Sequence, residues 1–141
     1  MKDFMDKVNT TKIEPEIKNL QTAANFVKWT YDNLVGEIED IIEVEKSIKH
    51  EAIQKKVEGF LDDDKKKAKF LKENPNAQTQ FLDYPLPVLI QSGDTFSLNK
   101  FNVQSDKSNL NAETIYLNVC GKYNDMNVMA SRTLLVNPNE H

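Results

Sequence analysis

Apolar residues return every three or four positions along the first part of the chain: Ile13, Ile17, Leu20, Ala24, Val27, Tyr31, Leu34, Ile38 and Ile41, then Ile48 and Ala52, with Glu45 breaking the series. A repeat of this kind keeps one narrow seam on one side of a helix. The first half of the chain is therefore expected to be a heptad-patterned helix packed lengthwise on another long element. Phe26, Trp29 and Val44 fall on the opposite side of the helical wheel, which gives the same helix a second apolar surface. One surface is expected to pack on the C-terminal half, and the other to meet a second helix or a subunit.

The limits of the helical half are marked locally. Residues 1–10 read as an arm carrying Phe4 and Met5 among charges. Thr11 with Glu14 matches a capping box, and Pro15 and Glu16 suit a first helical turn. No proline follows until Pro75, and Glu14/Lys18, Glu45/Lys49 and Glu51/Lys55 stand at the spacing that supports exposed helix. In the run Asp62-Asp63-Asp64-Lys65-Lys66-Lys67, Asp62 faces Lys66 and Asp63 faces Lys67, so helix is read to Lys72, with a solvated break after Leu61 as the alternative. At about 1.5 Å per residue such a helix spans on the order of 90 Å, whereas a compact domain of this size has a radius of gyration of about 14 Å. It must project and pair, or fold back at Gly36 or Gly59. The stripe keeps phase through Gly36, so the bend is expected near Gly59.

Beyond Pro75 charges thin out and β-branched and aromatic residues alternate with polar ones. A first strand is predicted over 81–90, confined to an edge by Pro85 and Pro87. Ser92-Gly93-Asp94 is a turn, and a strand over 95–104 is bulged at Asn99-Lys100. A polar loop over 105–112 is followed by a strand over 114–120, a turn over 121–125 and a last strand over 128–136. The predicted fold class is α+β: a long N-terminal helical half (11–73, one helix or a helical hairpin) followed by a small antiparallel β-meander of about four strands (79–141) packed on the helix.

The chemistry-bearing residues are few. His50 and His141 cannot build a metal cluster, and His50 reads as a solvent-facing helix residue. Cys120, the single cysteine, cannot form an internal disulfide and reads as an inert buried thiol. Glu37, Glu39, Asp40 and Glu43 read as a solvated helix face rather than a cation site. With four glycines in 141 residues, no phosphate loop, nucleophile elbow or dinucleotide fingerprint is present. The expectation is no enzyme, no cofactor and no metal.

A net charge of −4 and a pI near 5.2, without a basic stripe, argue against nucleic acid as a partner. No apolar run approaches the ~20 residues of a membrane span and no basic-then-apolar leader follows Met1, so direct membrane insertion is not expected and the location leans cytoplasmic or virion-associated. A long helix followed by a meander is the general plan of pilin-like subunits, without their apolar leader half-helix. The first functional reading is a structural or assembly subunit of virion, filament or secretion-machine type. It self-associates through a seam of Ile17, Leu20, Val27, Leu34, Ile38 and Ile41, with Phe26 and Trp29 as a second contact. The alternative is a monomeric adaptor whose aromatic patch at Phe26 and Trp29 receives a protein partner.

Overall fold

The computed structural model describes residues 12–93 and 105–136. The expected arm and the expected strand over 95–104 lie outside the described residues.

Helix α1, Glu14–Glu43, runs unbroken through Gly36 for 30 residues, about 45 Å. Its cap lies two residues later than the Thr11–Glu14 pattern predicts. The Glu16 carboxylate accepts the Ile13 N–H at 2.9 Å, and Pro15 occupies the first turn, where its missing N–H leaves nothing unbonded. The helix ends far short of Gly59. Glu45 adopts the left-handed region at φ 49°, its N–H donates to Ile42 C=O, and the Lys46 N–H donates back to Ile41 C=O. That pair of bonds is a Schellman cap, here built on a glutamate where glycine is usual. The chain then enters α2, His50–Glu58, passes a 3-10 turn at Gly59–Leu61, and continues as α3, Asp64–Glu73. Asp63 caps α3 by accepting the N–H groups of Lys65 and Lys66, so the acid-lysine run begins a helix instead of prolonging one.

The sheet is four-stranded and antiparallel: β1, Leu82–Asp83; β2, Leu89–Ser92; β3, Thr114–Tyr123; β4, Met126–Leu135. β3 is its spine, with β4 along one edge and β2 and β1 sharing the other at different heights. The strand predicted over 81–90 is split because Pro85 and Pro87 lack the N–H a continuous ladder needs. The turn predicted over 121–125 shrinks to Asn124-Asp125, with Asn124 at φ 51°. Gly121 is part of β3, opposite α1: a Cβ there would lie 2.8 Å from side-chain atoms of both Phe26 and Val27. Helix and sheet approach this closely because the strand carries no side chain at that point.

One face of α1 lies on the sheet, where Val27, Tyr31, Leu34 and Ile38 meet a layer including Ile115, Leu117 and Val119. The Tyr31 hydroxyl donates to the carbonyls of Leu117 (3.1 Å) and Ala130 (2.8 Å), and burial pushes its pKa up to about 12. The opposite face of α1 holds an aromatic cluster in which Phe26 and Trp29 contact Phe60, Phe70 and Tyr84. The heptad stripe is therefore not a coiled-coil seam. Its central residues are covered by the protein's own sheet, and beyond Glu45 the phase is lost, since α2 buries His50, Ile53 and Val57 while Ala52 is exposed.

Candidate protein-contact groove

β4 has a partner on one side only among the described residues. The Asn124-Asp125 loop joins the paired residues Tyr123 and Met126, so bonded pairs alternate from there. Met126, Val128, Ala130, Arg132 and Leu134 turn their backbone groups toward β3. Asn127, Met129, Ser131, Thr133 and Leu135 turn theirs outward. Tyr31 confirms the phase: its hydroxyl reaches two carbonyls that both lie between β3 and β4. The outward groups have no hydrogen-bond partner among the described residues. Nothing on the strand guards this edge, because Met126–Leu135 contains one charge, Arg132, and no proline.

Alongside the edge, α1 and β4 enclose an apolar groove of about 660 Å³ floored by Val27, Tyr31, Val35, Val128, Ala130 and Leu134. Small residues widen it. Ala24 and Gly36 line the helix side, and a Cβ at Gly36 would have no neighbour within 4 Å. A second depression of about 400 Å³, sharing Val35, Glu39 and Leu134 with the first, extends past Ile38, Ile42 and Glu43 to Val136. The two ends differ in charge. Near Ala24, Lys28 is paired with Asp32; midway along, between Ala130 and Leu134, the Arg132 guanidinium lies 5.7 Å from the Tyr31 ring centre. Near Val136, Glu39 and Glu43 form no ion pair among the described residues.

A second polar constellation runs inward from the exposed Asp106 to the buried His50 and Ser92. His50 is fully buried: Asp106 Oδ1 lies 2.7 Å from its Nδ1, and Ser92 Oγ lies 2.7 Å from its Nε2. Ser92 Oγ also accepts the Asn111 N–H at 2.8 Å. The types and order are those of a Ser-His-Asp nucleophile, but Ser92 is buried at the end of β2 and no described pocket reaches it. The array ties three segments together. The N-terminal amides of α2 join it: the His50 N–H donates to Ser108 C=O and the Glu51 N–H to Asp106 C=O. Burial raises the Asp106 carboxyl, but hydrogen bonds from His50 and Ser108 outweigh this and hold it below the usual carboxylate range.

The residues proposed as an interface are placed as follows. Phe26, Val27, Trp29, Leu34, Ile38 and Ile41 are buried in the core, so neither the seam nor the aromatic patch is offered to a partner. Ile17 is 43% exposed and Leu20 half-buried, both in the N-terminal part of α1. The solvent-facing expectation for His50 is overturned, since Ser92 and Asp106 lie 42 and 56 residues away in the chain and no local pattern announces them. Cys120 is buried and burial pushes its thiol up. Sequence reasoning also missed β4 as an open edge. Its available signal was a ten-residue strand almost free of charge.

Helix on sheet, with an unguarded strand edge beside an apolar groove, defines an α+β domain with a surface shaped to receive an extended chain. Comparison with known proteins gives this more content. The sequence is 30% identical to FACT complex subunit ctc-2 of Neurospora crassa over 93% of this chain and 13% of that protein. It is 29% identical to FACT complex subunit spt16 of Aspergillus fumigatus over 88% of this chain and 12% of that one. The chain thus spans only about an eighth of these curated relatives. The solved N-terminal domain of FACT complex subunit SPT16 from chickpea, Cicer arietinum, superposes with a TM-score of 0.76 at 26% identity, covering 91% of this chain and 30% of that one. The same domain from Eremothecium gossypii gives 0.79 at 24% identity, covering 90% and 30%, and shares the fold. No family model matches.

These relatives overturn the reading as a virion, filament or secretion-machine subunit, and with it the virion-associated location. They fit the adaptor alternative better. The expected homo-oligomer with nucleic acid excluded is corrected as well: the relatives are subunits of a named complex, and the residues meant for self-association are covered by the chain's own sheet. Among the described residues no helix is long and apolar enough to cross a membrane.

Proposed function

We propose that this chain acts as a non-catalytic protein-binding module of a FACT-complex subunit of the Spt16 type, engaging histones on chromatin in the nucleus. The observation that carries this reading is the shared fold over nine-tenths of the chain with the chickpea SPT16 N-terminal domain, together with the sequence likeness to the fungal subunits. Binding is favoured over catalysis because Ser92, the only nucleophile of the Ser92-His50-Asp106 array, is buried and its hydroxyl is held by His50 and the Asn111 N–H, whereas the exposed, unsatisfied groups lie along β4. The test is calorimetric titration of the purified chain with core histones. Saturable binding is expected. No heat of binding from a chain whose circular dichroism shows it folded rejects the reading. A fluorophosphonate probe for nucleophilic serines is expected to leave Ser92 unlabelled, and labelling would return an enzyme to consideration.

A further inference from the structure

Resting on that protein-binding reading, we propose that the groove between α1 and β4 is a strand-addition site for an extended, basic segment of a protein partner. Three observations converge on this occupant. Outward N–H and C=O groups on alternate residues of β4, from Asn127 to Leu135, can be satisfied together only by another extended backbone. The groove lies on the α1 side of that edge, so alternate side chains of an added strand would descend onto its apolar floor, where Gly36 and Ala130 leave room. Glu39 and Glu43 stand unpaired at the Val136 end, where positive charge on the incoming segment would complement them. Main-chain pairing supplies the attachment, the floor selects apolar residues at alternate positions, and the carboxylates orient the basic end toward Leu134.

The test uses a fluorescent decapeptide alternating valine and lysine, read by anisotropy with the full chain. The controls are the valine-glutamate counterpart and a valine-lysine peptide N-methylated at every second amide. Only the unmethylated basic peptide is expected to bind saturably, and amide exchange by NMR is expected to slow at Asn127, Met129, Ser131 and Thr133. Glu39→Lys with Glu43→Lys should weaken binding at least tenfold. Gly36→Leu should block the groove without disturbing the fold, since leucine fits a helix better than glycine and a Cβ there has no neighbour within 4 Å. Equal binding of the acidic or methylated peptide overturns the proposal, as does protection elsewhere on the chain. Slow exchange at those amides without peptide, in a particle of two chains, gives the edge to a second copy and also overturns it. If histones bind the chain and both variants bind them as tightly as wild type, the module reading stands and the groove assignment falls.

Discussion

At Gly121 the absence of one carbon sets the distance between α1 and the sheet. Gly121→Ala brings a methyl group to 2.8 Å from both Phe26 and Val27. Overpacking of this kind in a filled core costs about 1–3 kcal/mol, so the urea midpoint should fall with the slope unchanged. His50 is a residue of the opposite sort, polar and fully enclosed. His50→Ala leaves the buried Ser92 hydroxyl without its imidazole partner, and an unsatisfied buried polar group costs about 1–3 kcal/mol. Its loss should appear as a lower thermal midpoint. Asp106 adds a pH signature. Its carboxyl titrates below the usual range when folded, so its stabilising contribution is fully present above the unfolded value of about 3.9 and is lost as pH falls through the folded value. The stability advantage of wild type over Asp106→Asn should therefore be constant near neutrality and fade only below about pH 4 in acid titrations followed by circular dichroism.

Among the elements, α1 ends where local sequence gives no stop signal. Glu45 sits in the left-handed region, a conformation that costs an L-residue with a side chain about 1 kcal/mol relative to glycine. Glu45→Gly should raise unfolding stability by about that amount in a denaturant titration, and no gain would mean that the cap is held by tertiary contacts instead. At Gly59, the expected bend, the helix His50–Glu58 does end, and a 3-10 turn leads on to α3; the break at Glu45 is the one not foreseen. The Asp63 carboxyl accepts the amides of Lys66 and Lys65, which hold it below its ordinary range and make the acid-lysine run a helix start. In the sheet, Pro85 and Pro87 divide one predicted strand into β1 and β2, while β3 continues past Cys120 to Tyr123 because Gly121 fits under α1 and needs no turn.

For the whole molecule, the buried stripe predicts a sedimentation mass of one 16.2 kDa chain at micromolar concentration, and a dimer mass would restore self-association. The α+β class was legible, because amphipathic periodicity depends only on spacing along the chain; the heptad stripe was not, since Ile13, Ile17 and Ala24 are exposed and off-stripe Ala23, Phe26 and Trp29 are buried. The strand character of residues 114–120, where polar and apolar residues alternate, was legible too. Periodicity says that Leu34 and Ile38 must be covered. It does not say by what, since the chain's own sheet and a neighbouring helix remove the same apolar area from water. The Ser92-His50-Asp106 tie and the open edge of β4 are relations between residues tens of positions apart, and only tertiary packing brings such groups together or leaves them without a partner. Local patterning by itself determined that the middle of α1 and the 114–120 strand need cover, but not that His50 would be buried or Ile17 left out. The folded arrangement decided which surface stays open, because exposure is set by everything that packs on a segment and not by the segment alone.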